Sequence, residues 1–209
     1  MGRSVTVTGR GRASAAYDLA TLRLAASARA ANPSDATARA TYAMSAMREA
    51  VIAAGVDVTA LATTAVSLNP VHDPWPTVTG YEAVLGLSVR VADLTTVGTL
   101  LVAAIDAGGD GARVDGITFG HADSDALEHQ ARDLAYADAL DKAQQYAALA
   151  GQTLGEVRHM VEAEMGPGVS PGRMKLSASA AGAPPVPVDG GEGGVTSVLT
   201  VTWALGPAV

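Results

Sequence analysis

The chain has 209 residues, a formal charge of -7, and a hydrophobic share of 48% against 17% charged residues. That apolar share supports a folded core and excludes global disorder, while an acidic chain with no basic run is unsuited to nucleic acid, whose phosphates need clustered Lys and Arg. There is no cysteine, which excludes disulfides, thiol catalysis, thiolate zinc sites and iron–sulfur clusters.

In chain order, residues 4–8 alternate Val and Thr and predict a short strand, with Gly9, Arg10 and Gly11 as a turn or bulge. From Leu19 to Ala30, Leu22, Leu24, Ala26 and Ala28 share one face and Thr21, Arg23, Ser27 and Arg29 the other. This is the pattern of a half-exposed antiparallel strand. Asn32, Pro33 and Asp35 form a helix start, and Ala40, Met44, Met47, Val51 and Ala54 fall on one stripe before Gly55 ends it.

Residues 61–69 read as a strand, 70–76 as a loop carrying Trp75, and 78–91 as a second long strand whose core face is Tyr81, Ala83, Leu85, Leu87, Val89 and Val91. Asp93 caps a helix with the stripe Leu94, Val97, Leu101 and Ile105, stopped by Gly108 and Gly109. A short strand follows over 113–120, a third helix over 123–150 closed by Gly151, and a strand over 154–164. Residues 165–194 are dense in Gly, Pro, Ser and Ala without periodicity, and a final strand spans 195–205. The order predicts one domain with an excursion at 165–194. Its class is α+β: an antiparallel or mixed sheet with about three helices on one face.

Aromatic residues make up only 4% of the chain, so its core must be assembled from small side chains lying close together. The first seven residues hold no apolar stretch typical of a secretory signal, and no apolar run approaches the ~18 residues of a membrane span. As written, the chain is expected to be soluble and cytoplasmic; trimmed of a leader, it would be periplasmic or envelope-associated.

Several motifs invite an enzyme reading. Gly168, Ser170 and Gly172 match the G-x-S-x-G nucleophile elbow, but Pro171 has no N–H to offer an oxyanion and no histidine follows His159. His121, Asp123, Asp125 and His129, with Glu128, offer nitrogen and carboxylate ligands suited to zinc, manganese or iron. The same acids are also expected from helix capping and the helix dipole. His72 and Asp73 sit beside Trp75 without a nucleophile or third partner. Gly9, Gly11 and the arginines after them lack the third glycine and the following helix of a phosphate loop.

Ala131, Ala135, Ala139 and Ala143 recur every four residues on the third helix. Such a ridge lets a neighbour approach closely, either within the subunit or at an interface. The long strands raise the same issue, because exposed edges tend to be paired or protected.

These residues together resemble the SIMPL-domain family, a group that includes periplasmic immunogenic proteins and an oxidative-stress defence protein. The match lies in four segments. Val5 to Gly11 is similar to an opening V-x-G-x-G strand, with arginine where an acidic residue is common. Gly80, Tyr81 and Ala83 are similar to a G-Y-x-A strand leading to Asp93 and Leu94. The third segment runs from Ala131 and Arg132 through Asp138, Lys142 and Gly151 to Val157, and the fourth is Pro187 to Gly190 before the last strand.

The resemblance implies an α+β fold and symmetric, ring-like assembly, with no catalytic residues to carry over and no cofactor. The expectation is therefore a non-enzymatic homo-oligomer linked to stress or envelope physiology. Its interface candidates are Ala131, Ala135, Ala139, Ala143 and Trp75. The alternatives are a metal-dependent enzyme built on His121–His129 and an adaptor that docks a protein partner through the 165–194 loop.

Overall fold

A computed structural model describes residues 2–163 and 188–208. The chain divides into two compact units. One contains β1 (Ser4–Ala16), α3 (Asp125–Leu149), β6 (Gln152–Glu162) and β7 (Glu192–Ala208). The other contains β2 (Leu19–Ala30), α1 (Pro33–Ala53), β3 (Leu61–His72), β4 (Val78–Val91), α2 (Val97–Gly108) and β5 (Ala112–Gly120). Both sheets are antiparallel throughout, in the orders β1-β7-β6 and β3-β4-β2-β5. The α+β expectation holds, with the strands shared between two sheets.

The larger unit follows the alternation read from the sequence. Leu22, Leu24 and Ala26 of β2 and Leu87, Val89 and Val91 of β4 join Met47 and Val51 of α1 and Leu100, Leu101 and Ala104 of α2 in one core. Asn32 caps α1, its side chain accepting the Asp35 N–H at 2.9 Å, and Pro33 occupies the first turn. Gly55 follows the helix with φ of 99°, in the left-handed region. Asp93 caps a turn of 3-10 helix over Leu94–Thr96 that leads into α2.

The smaller unit corrects the reading of Gly9 to Gly11 as a turn. β1 runs unbroken for 13 residues, paired with β7 from Ser4↔Ala204 to Ala16↔Glu192. Thr6 meets Thr202 and Thr8 meets Thr200 through hydroxyl contacts of 2.9 and 3.0 Å on the exposed face. The opposite face carries Val7, Gly9, Gly11 and Ala13, all buried.

A methyl group at Gly9 would lie on the Ala135 carbonyl oxygen and 2.7 Å from the Ala139 Cβ. One at Gly11 would lie on the Ala131 carbonyl and 2.8 Å from the Leu134 Cβ. The glycines are therefore the seat for α3, and Ala131, Ala135, Ala139 and Ala143 are the fully buried surface resting in it. Small residues on both sides bring helix backbone and strand backbone together, with Leu199, Val201 and Trp203 of β7 filling the rest of this core.

Residues 164–187 lie outside the described residues, and with them the G-x-S-x-G stretch and most of the 165–194 excursion. The end of that excursion is regular, since β7 already begins at Glu192. Pro70, read as loop, belongs to β3, which continues to His72 opposite Val78.

Candidate functional site

Among the described residues two sheets present four edge strands, and three of these edges are blunted by charge or by covering groups. On β1, Asp138 of α3 accepts the Arg10 backbone N–H at 2.7 Å. Lys142, one turn on, donates to the Thr8 carbonyl at 3.1 Å and to Asp138 at 2.6 Å. An i,i+4 ion pair thus occupies main-chain groups that a further strand would need. β6 carries Glu156, Arg158 and Glu162, and β5 carries Arg113 and Asp115 together with a register shift opposite Arg23 and Leu24. Charge and irregularity are the usual protections of a sheet edge.

The Lys142 hydrogen bond and then the Arg10 N–H hold the Asp138 carboxyl below the usual carboxylate range. A carboxyl depressed in the folded state stabilises it above the unfolded pKa, and that stabilisation is lost as pH falls through the folded value. Asp138→Asn is therefore expected to flatten the fall in melting temperature on acidification below about pH 4. An unchanged acid profile would show that the Asp138 bridge contributes nothing.

β3 is different. Its 12 residues include no Asp, Glu, Lys or Arg, and residues 62–70 are all exposed. Among the described edge strands it is the uncharged one. Pro70 lies within it, opposite Tyr81. Proline has no N–H, so in a paired strand its nitrogen side belongs at the free edge. Leu68 and Val66 share its parity and present their N–H and C=O groups to that edge. Val66 is 74% exposed and Leu68 46%, so apolar side chains accompany the open main chain. A groove of about 410 Å³ lies alongside, between α1 and this hairpin, lined by Met44, Arg48, Leu61, Thr63, Val66 and Leu85 among others.

A family model described as SIMPL, protein of unknown function (DUF541), matches residues 5–203. The chain belongs to the SIMPL family. Two relatives, each named 26 kDa periplasmic immunogenic protein, come from Brucella melitensis and Brucella abortus. Each is 28% identical over 216 residues, an alignment covering 96% of this chain and 84% of the relative.

The SIMPL segments have plain physical roles here. The V-x-G-x-G strand is the glycine seat of α3 on β1. In G-Y-x-A, a methyl at Gly80 would stand 2.8 Å from the Ala30 carbonyl, and Tyr81 and Ala83 pack with Ala36 and Ala40 of α1. The α3 segment supplies the alanine ridge together with Asp138 and Lys142. Because the ridge is covered by β1 and β7 of its own chain, Ala131, Ala135, Ala139 and Ala143 offer no surface to a second SIMPL subunit.

The remaining sequence-predicted residues are dispersed. Asp123 accepts the Asp125 N–H at 2.9 Å at the start of α3, and Asp125 and Glu128 supply negative charge in its first turn. Glu128 also binds Arg132 at 3.1 Å. His121 lies against the Tyr17 ring at 5.1 Å, and His129 is exposed on α3. Among the described residues no group of three or more His, Asp or Glu side chains is placed to hold a metal ion.

Trp75 sits at the tip of the β3–β4 hairpin, 77% exposed, its ring 4.4 Å from that of His72. The His72 Nδ1 lies 3.1 Å from the Pro76 carbonyl, which it meets as a donor, so this imidazole is occupied in shaping the tip. No helix among the described residues is long and apolar enough to cross a membrane.

Proposed function

We propose that this SIMPL protein is a non-enzymatic, self-assembling protein of the cell envelope, and that copies join through the free edge of β3. The observation that carries the reading is the contrast among the sheet edges. Evolution of a stable monomer blunts long edges with charge, and here that protection covers β1, β5 and β6 but not β3. An edge of this kind takes another strand by main-chain hydrogen bonding, and the apolar Val66 and Leu68 add burial on the helix side of the sheet. Envelope location is supported by the periplasmic names of the relatives.

The absence of cysteine supplies a clean test. Ser67→Cys places one thiol per chain at an exposed mid-strand position of β3. Mild oxidation of the folded protein is expected to give a covalent dimer, abolished when the same protein is oxidised in denaturant. Glu156→Cys, on the charged β6 edge, is the comparison. Equal cross-linking of the two variants would remove β3 as the contact.

A further inference from the structure

The sheet of the larger unit has a second face, turned away from α1 and α2. Its residues on β2 are Thr21, Arg23, Ala25, Ser27 and Arg29, because Ala20, Leu22, Leu24 and Ala26 point into the core. The strand register places Arg90 opposite Thr21 and Arg113 opposite Ala25. Arg90 and Arg113 are therefore diagonal neighbours of Arg23 on its two flanking strands, with diagonal spacings of about 7–8 Å. The three arginines form one stripe across β4, β2 and β5, interleaved with the hydroxyls of Thr21, Ser88 and Thr118.

This stripe stands out against the acidic background of the chain, which has 21 Asp and Glu against 14 Lys and Arg. Arg29, farther along β2, is neutralised by Glu82 at 3.1 Å. Among the described residues, Arg23, Arg90 and Arg113 have no carboxylate within ion-pair distance, although Asp93 follows Arg90 by three residues and Asp110 and Asp115 flank Arg113 in sequence.

Arg90 and Arg113 are exposed, whereas the Arg23 Nε is buried and has no hydrogen-bond acceptor among the described residues. A buried donor ordinarily has an acceptor. Arg23 as a whole is half-buried, so a rotation of its side chain would bring the Nε to an anion lying along the stripe, and guanidinium groups pair with phosphoryl oxygens through two parallel hydrogen bonds.

We propose that this face binds a soluble, multiply charged phosphoryl anion of the polyphosphate class, held by Arg90, Arg23 and Arg113 with the neighbouring hydroxyls. Charge complementarity selects the ligand class: an elongated anion can meet all three guanidinium groups, whereas a single phosphate cannot lie along the whole diagonal. A lipid surface is disfavoured, because Val66, Leu68 and Trp75, which are exposed apolar groups of this unit, do not belong to the stripe. This site is independent of the β3 edge and of the assembly reading.

Isothermal titration of the full chain with sodium tripolyphosphate tests the proposal. Saturable binding at one site per chain is expected, tighter than for pyrophosphate. Arg90→Gln and Arg113→Gln are each expected to weaken it about tenfold, the loss of one charge-assisted hydrogen bond. Arg29→Gln should leave it within about twofold, since that guanidinium already has a partner. These substitutions are at exposed positions, so folding is preserved. No saturable binding, equal loss in Arg29→Gln, or binding to vesicles containing phosphatidic acid without binding to tripolyphosphate would each overturn the proposal.

Discussion

Gly11→Ala is expected to be among the most damaging single-methyl substitutions in the chain. The added carbon would fall on the Ala131 carbonyl and the Ala135 amide of α3. These are backbone atoms, which cannot rotate away as a flexible side chain would. Overpacking costs about 1–3 kcal/mol when side chains give way. Here the whole helix must lift from β1, so a loss of about 3 kcal/mol or more is expected in denaturant unfolding. Lifting α3 would also withdraw Asp138 and Lys142 from the β1 edge, exposing the Arg10 N–H and Thr8 carbonyl.

Ala139→Glu attacks the same contact from the helix side, since Ala139 is fully buried and its Cβ faces Gly9. Gly120→Ala is the control, as a methyl there meets nothing within 4 Å. If Gly11→Ala and Gly120→Ala had equal stabilities, the close seating of α3 would be wrong.

Trp203→Ala should be comparably costly for a different reason. Trp203 is the largest fully buried side chain in the core that Val7, Leu199 and Val201 form with the α3 alanines. Its neighbours include Ala135, Ala139 and Ala143, which are too small to close the space it would leave. Removing a buried aromatic ring costs about 3–5 kcal/mol, and the poor capacity of alanines and glycines to collapse into the gap favours the upper part of that range. Guanidinium unfolding followed by circular dichroism measures it. A change below about 1 kcal/mol would show that this core is not organised around Trp203.

The two variants also show what could be read from the sequence. The alternation of β2 and β4 and the cap, first-turn proline and terminal glycine of α1 are local signals, and local signals were legible. Gly9 and Gly11 read as a turn because glycine usually marks one. Their role is set by a helix more than a hundred residues later in the chain, and no local window contains both partners. The same distance hides the β1–β7 pairing and the division of the strands between two sheets.

The alanine ridge of α3 was visible as a close-packing surface, but only the fold assigns its partner to the same chain. Asp138 and Lys142 stand in the sequence only as part of the third SIMPL segment, and both their ion pair and their cover of the β1 edge come from the fold. β3 was legible as a strand, yet its exposure depends on which strands lie beside it. The Arg23, Arg90 and Arg113 stripe comes from three separate strands and exists only once their register is fixed.

Light scattering coupled to size exclusion, on untagged wild-type protein and on Val66→Lys across a range of concentrations, tests the assembly claim most directly. Val66 is largely exposed on the β3 edge, so the lysine leaves the fold of a single chain intact while adding the charge that the other edges carry. The wild type is expected to give a discrete mass several times that of one chain, stable on dilution, and Val66→Lys to give the single-chain mass. A wild-type protein that stays monomeric at every concentration, or a Val66→Lys variant that assembles as fully as the wild type, would contradict assembly through β3.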